Sequence, residues 1–337
     1  MCLIRGDKAE KKYVHDSAHI FAIKTLEACM KTMKHVTIAP LIAALLAMLP
    51  AAMPSGAQTD DFNDDEDDGW TRYSPLAPYG APGIFTLNNG QYRIQATASP
   101  MPGVLGPGRA GSLLNNYTQS VFRIAVDIVA WDDSLDQVFG LLARVTQPGL
   151  GSLNGYVLTY ANEQGTASAT LSLIRVSGEV PVITMAETNI LLNPNQRYRM
   201  VMTGIGASFR GEIYALSNLS TPLAVLNGSD NAYPEGIFGF FVYDNSPSGN
   251  STADATFDNF TIGEPSPPLA SELLPLGDIQ VSWPDWATGF QLQWRTNLMT
   301  GSWNTVPGPY NQSDGRFYYI EDAREGRRFF RLLKIRQ

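Results

Sequence analysis

Beyond residue 57 the sequence contains no cysteine and no histidine, and its only lysine is Lys334. Both cysteines (Cys2, Cys29) and all three histidines (His15, His19, His35) lie in the first 57 of 337 residues. A Ser-His-Asp or Cys-His nucleophile system needs the histidine base, so that chemistry is excluded from the rest of the chain. So is a catalytic zinc held by histidine or cysteine. With no disulfide available, stability there must come from packing. No apolar run after the N-terminal segment reaches the 18 residues that read as a membrane-spanning helix. Residues 58–337 hold 17 Lys/Arg against 28 Asp/Glu, a net charge of −11. That balance argues against nucleic acid, whose phosphates call for clustered cations.

The N-terminal segment has its own logic. Lys31 and Lys34 precede an apolar run, Ile38 to Leu49, and Ser55-Gly56-Ala57 follows as a small-x-small motif. This order predicts a leader with a signal peptide over 1–57, with a start at Met30 or Met33 and cleavage near Gln58. The competing reading is a buried helix. The leader implies a secreted, extracellular or periplasmic protein.

From 85 to 262 short runs of period-two alternation are broken by Gly, Pro, Asn and Ser. Strands are expected at 91–97, 122–131, 138–145, 155–161, 170–176, 197–205, 209–216, 236–244 and 255–262. In 122–128, Phe122, Ile124, Val126 and Ile128 share one face, with Arg123 and Asp127 on the other. No helical period appears. Many short strands with regular turn signals predict an all-β, two-sheet sandwich over 58–263. Residues 264–272, with Pro265, Pro267 and Pro268, read as a stiff linker. Residues 273–337 contain five further short strands and four tryptophans, enough for a small second β-sandwich.

The order "DDFND…GW", "GQYRI", a strand ending "WDD", "FGLLARV", "GYVLTY", "YRMVMTG…RGEIY" and "ADATFDNFTI" resembles the concanavalin A-like, laminin-G-like jelly-roll family of exported bacterial proteins. The tail "VSWPDWATGFQLQWRTNLMTGSWNTV…RFFRL" resembles fibronectin type III-like modules of exported proteins from the Planctomycetes–Verrucomicrobia group. The first resemblance implies a jelly roll whose first and last strands are neighbours, sugar binding in many members and a structural calcium in some. The same scaffold also hosts glycoside hydrolases, whose concave-sheet signature Glu-x-Asp-x-x-Glu does not occur in this sequence.

Candidate ligand contacts are Trp131, Asp132 and Asp133, with Tyr156, Tyr243 and Asp244 on or beside strands; Tyr160 and Tyr214 are further strand tyrosines. An indole face stacks on a sugar ring and carboxylates accept its hydroxyl hydrogens. The competing reading makes Trp131 a core cap and Asp132-Asp133 a turn. Asp60 to Trp70 reads DDFNDDEDDGW, with seven acidic residues in eleven and Phe62 and Trp70 as apolar anchors. It is either a solvated acidic turn or part of a structural calcium site built from Asp61, Asp64, Asp65 and Asp258, with Asp60 and Asp67 as further donors. The glycine-rich stretch 103–111 lacks a phosphate-loop ending and reads as a loop. Arg324, Arg327, Arg328 and Arg331 form a basic cluster, either a charge-protected strand edge or a contact for an anionic polymer. The expected function is a non-enzymatic glycan-binding or adhesion protein. A glycoside hydrolase or lyase on the same fold, and a purely structural envelope module, stand as alternatives.

Overall fold

A computed structural model describes residues 57–114, 117–163, 169–322 and 327–335. Residues 1–56 of the leader and Arg324 lie outside the described residues. Among the described residues no helix is long and apolar enough to cross a membrane. The chain divides into two compact units, one over Gly56–Pro265 and one containing Ser266–Gln337.

The larger unit is built from β1 (Gln58–Asp60), β2 (Trp70–Tyr73), β3 (Ile84–Leu87), β4 (Tyr92–Ala96) and β5 (Arg109–Leu114). There follow β6 (Val121–Trp131), β7 (Gln137–Thr146), β8 (Asn154–Asn162), β9 (Ala169–Ser177) and β10 (Val180–Asn189). The last five are β11 (Tyr198–Ile205), β12 (Ser208–Ala215), β13 (Ala224–Ser229), β14 (Ile237–Asp244) and β15 (Ala253–Gly263). One sheet runs β13-β12-β11-β6-β15-β4-β3, with β1 added on β15; the other runs β10-β9-β8-β7-β14-β5-β2. All pairings are antiparallel, and the two sheets form a jelly-roll sandwich. First and last strands are neighbours: Gln58 pairs Ile262 and Asp60 pairs Phe260.

Period two decides which side chains meet between the sheets. From the eight-stranded sheet come Phe122, Ile124, Val126 and Ile128; from the seven-stranded sheet come Phe139, Leu141, Tyr156, Leu158, Phe238 and Phe240. The acidic stretch enters this core at both ends. Phe62 is fully buried and meets Tyr92 edge-on at 5.3 Å, while Trp70 packs on Phe260 at 4.8 Å. Trp70 Nε1 donates to Asp60 Oδ2 at 2.7 Å. Phe62 and Trp70 thus act as the expected anchors, with the carboxylates on the turn between them.

One residue works against its own chemistry. Arg144, 1 % exposed, sits with φ 49° in a bulge where β7 slips against β8 between Ala143 and Thr146. Its guanidinium donates to the carbonyls of Tyr233 (3.2 Å), Gly206 (2.9 Å) and Ser120. It also lies over the rings of Phe209 and Phe122, 4.9 and 5.4 Å from their centroids. Three loops are therefore tied to one buried cation that desolvation alone would expel.

The smaller unit has β16 (Ala270–Leu273), β17 (Ile279–Pro284), β18 (Phe290–Arg295), β19 (Asn304–Thr305), β20 (Asn311–Ser313), β21 (Arg316–Glu321) and β22 (Phe329–Lys334). They form two sheets, β16-β17-β21-β20 and β19-β18-β22, around Leu269, Val281, Trp283, Leu292, Val306 and Phe330. β16 corrects the expected linker. The prolines end at Pro268, after which Leu269 is buried and Ala270–Leu273 donate and accept along β17. The stretch 103–111 is likewise not all loop. It holds the one-turn helix α1 (Pro102–Leu105) and the start of β5.

Candidate functional site

The candidate site is a groove of about 360 Å³ on the outer face of the seven-stranded sheet. Side chains that alternate with the core residues form its floor: Leu142 on β7, Val157 on β8, Val176 on β9 and, half-buried, Phe241 on β14. These strands are apolar on both faces, so they lack the clean hydrophobic-in, polar-out alternation of a half-solvated antiparallel sheet. Glycine lets the face curve inward. A Cβ at Gly140 would stand 2.0 Å from the Leu158 carbonyl oxygen, and one at Gly239 would stand 2.1 Å from that of Ser112.

Polar groups frame the floor. Thr159, Thr170 and Ser172 present hydroxyls; Glu163, Glu187 and Asn245 stand toward one end. Ser172 Oγ donates to Glu187 at 3.0 Å. At the other end a charged cluster is organised by Glu179, which sits in the tight turn joining β9 to β10 with φ 66° beside Gly178 at φ 59°. Both carboxylate oxygens of Glu179 accept from Arg109, at 2.7 Å each. They also accept from the Tyr73 hydroxyl and the Gly151 N–H. Arg109 spends its remaining Nη1 donors on the carbonyls of Leu105 (3.0 Å) and Pro107 (2.7 Å). Burial and the Glu179 carboxylate push the Tyr73 phenol far above its ordinary range. Burial raises Tyr243 as well. Both hydroxyls therefore stay protonated and able to donate.

Of the six ligand contacts expected from sequence, one lies in this groove: Tyr243, half-buried on β14. Trp131 does not offer a stacking face. It is 8 % exposed, packed against Phe139, Tyr160 and Tyr198 at 5.6, 6.0 and 6.1 Å, so the core-cap reading describes it. Asp132 holds the following turn by accepting from the Ser134 N–H and Oγ, and Asp133 accepts from Trp131 Nε1 at 3.3 Å. Tyr156 is fully buried against Phe209 at 4.2 Å, and its hydroxyl, pushed up to about 12 chiefly by burial, donates to Asp230. Asp244 is also fully buried, closing its loop by accepting from the Ser246 and Ser251 N–H groups at 2.8 Å each. Tyr160 lies in the core, and Tyr214 bonds Glu212.

The four expected metal ligands divide. Asp64 accepts from the Glu66 N–H and Asp65 from the Gly90 N–H, and Asp61 accepts from the Asn63 N–H. Asp258 pairs across the sheet with Asp127. Its carboxyl is raised by burial, with Asp127 and Asp61 adding repulsion, so Asp61 and Asp258 do share a neighbourhood. Arg199 grips Asp127 bidentately there, at 2.6 and 2.8 Å. Among the described residues no three His, Cys, Asp or Glu side chains converge as a metal cage.

Arg109, Glu179 and Tyr73 were not expected. Their one sequence signal is "SGEV", a two-residue turn between alternating runs that puts an acid at its tip. The unpatterned apolar strands 138–145 and 236–244 were the signal for the floor.

No family model matches the chain, and no curated protein does. Among solved structures it is similar to the carbohydrate binding module CBM66 from Bacillus subtilis, at 17 % identity and TM-score 0.41, over 58 % of this chain and 96 % of that one. It is also similar to lectin II from Ulex europaeus, at 10 % identity and TM-score 0.41, over 62 % and 98 % of the two chains. A prokaryotic β-1,3-1,4-glucanase (lichenase) derived from a mouse hindgut metagenome matches at 9 % identity and TM-score 0.44, over 62 % and 99 %.

Proposed function

We propose that the chain is an exported, non-enzymatic glycan-binding protein and that the groove on the seven-stranded sheet receives the glycan. The observation that carries this reading is the groove itself: an apolar floor that includes Phe241, with aromatic edges at Tyr243 and Tyr73, bordered by hydroxyl, amide and carboxylate groups. Sugar rings present apolar C–H faces and equatorial hydroxyls, and such a surface serves both. The leader expected at 1–57 supports export.

Binding is favoured over bond cleavage by the state of Glu179. Glycoside hydrolysis needs one carboxyl free to deliver a proton and a second placed across the bond. Of the three groove carboxylates, Glu163, Glu179 and Glu187, Glu179 already accepts from Arg109, Tyr73 and Gly151, and Glu163 has a partner of its own. Glu187 is bonded by Ser172. The test is native electrophoresis through gels containing individual polysaccharides, run beside a reducing-end assay on the same panel. Retardation by at least one polysaccharide without release of reducing ends is the expected result. Release of reducing ends would replace binding with hydrolysis, and no retardation by any polysaccharide would leave the structural-module reading.

A further inference from the structure

We propose that the smaller unit carries a separate site for an anionic group, formed by Arg295 and Arg331 on the indole of Trp303, and that its ligand is a carboxylate or sulfate of an acidic polysaccharide. Gln293 and Arg295 alternate along β18 with the core-facing Leu292 and Trp294, and Arg331 on β22 pairs opposite Gln293. That register brings both arginines to one face of the three-stranded sheet. Their guanidinium carbons lie 4.4 and 4.3 Å from the Trp303 ring centroid.

Two like charges on one ring repel, and here only neutral acceptors hold them. Arg331 donates Nε and Nη2 to the single Oε1 of Gln293, at 2.9 and 2.8 Å. Arg295 donates Nη2 to the Leu298 carbonyl. Its Nε is buried with no acceptor. Among the described residues neither arginine has a carboxylate partner. Six of the nine arginines of the larger unit, Arg72, Arg93, Arg109, Arg175, Arg199 and Arg210, are paired with acids, while the buried Arg144 is held by carbonyls alone and does not share its ring contacts with a second cation. In the smaller unit Arg328, stacked on Trp294, is paired with Glu321. Burial, and then the charge of Arg295, hold Arg331 below its ordinary range. The pair is thus a half-buried positive spot, with Nη1 of each residue unspent. Two planar forks stacked on one indole, each with an unspent Nη1, suit an oxyanion better than a diffuse cation patch would.

Charge distribution selects the kind of polymer. Residues 58–265 hold 9 Lys/Arg and 21 Asp/Glu, a net of −12, whereas residues 266–337 hold 8 and 7, a net of +1. A stiff duplex of high charge density is penalised by the −12 carried on the same chain. A flexible acidic polysaccharide can offer a single carboxylate or sulfate to the arginine pair. The site is independent of the groove reading.

The experiment uses the exported full chain with dextran sulfate, polygalacturonate, neutral dextran and duplex DNA, each titrated over a range of salt. The expected result is binding to dextran sulfate or polygalacturonate, the stronger of the two naming the group, and none to neutral dextran. The Arg295→Gln/Arg331→Gln double variant should lose at least tenfold in affinity, and the slope of log affinity against log salt should fall by about one per arginine. Arg295→Gln alone, which leaves the Gln293 contact intact, should lose part of both. Unchanged affinity in Arg295→Gln and in the double variant would overturn the proposal. So would duplex DNA bound as tightly as the acidic polysaccharides at equal salt.

Discussion

Glu179 and Arg109 meet at 2.7 Å although their strands, β9 and β5, stand four places apart in the seven-stranded sheet. Four interstrand steps amount to about 19 Å along a flat sheet. The turn bearing Glu179 therefore reaches back over the outer face, and the ion pair closes one end of the groove. With side chains only 9 and 10 % exposed, both charges depend on each other.

Glu179→Ala should accordingly cost about 3–5 kcal/mol, because it leaves Arg109 buried without its counter-charge. Replacing both residues by apolar ones of similar size, Arg109→Met with Glu179→Leu, should recover most of that loss. Urea unfolding with an unchanged m-value checks both. Equal destabilisation in the single and double variants would show that the bonds to Tyr73 and Gly151, rather than the ion pair, hold the turn.

Trp131→Ala should cost about 3–5 kcal/mol, the usual range for a large buried aromatic. The loss should appear in thermal and urea unfolding alike. A variant as stable as the wild type would return Trp131 to the surface and revive it as a stacking platform.

The architecture was legible because its signals are local. Alternation in 122–128, "GYVLTYA" and "TLSLIRV" marks strands whether or not their partners are known. β2, β3 and β20 escaped because three or four residues are too few to show a period, and β5, β10 and β13, of six to ten residues, escaped as well. β16 was hidden behind prolines that belong only to the residues before it. The site was far less legible. Trp131 and Tyr156 have the composition of sugar platforms, but which face of a strand is core depends on the opposite sheet. Arg109 and Glu179 lie 70 positions apart, and only the assembled sheet, with the turn that bears Glu179 folded back over it, joins them.

Asp258 makes a pH-dependent prediction. Burial, with help from Asp127 and Asp61, raises its carboxyl above the usual value of 3.8. Its ionised form is therefore penalised in the folded state. That penalty is absent below about pH 3.8 and grows as pH rises through the raised value. Asp258→Asn keeps an acceptor for the Asn259 N–H and removes the charge. It should raise the melting temperature at pH 7, and the gain should vanish as the pH is lowered through the carboxylate range. A gain independent of pH would place its origin elsewhere than in ionisation.

The acidic turn makes a prediction about ions. Asp60, Asp61, Asp64, Asp65 and Asp67 each accept from N–H or hydroxyl donors of the protein, and Asp67 also binds Arg72 at 2.7 Å. Repulsion between them is then a matter of screening. Relative to a melting curve in chelator alone, curves in calcium chloride and in sodium chloride at matched ionic strength should shift equally. A calcium-specific rise that Asp258→Ala abolishes would instead establish a cation held between Asp258 and the opening strand.

The measurement closest to the central claim is calorimetric titration of a retarding polysaccharide into the wild type, Tyr243→Ala and Thr159→Trp. Tyr243 borders the groove, and Thr159 lines it from β8. Removing the first takes away an aromatic edge, and enlarging the second fills the space. Each variant should bind at least tenfold more weakly than the wild type while its melting temperature stays within a few degrees. Wild-type affinity in both folded variants would contradict the assignment of the glycan to this face.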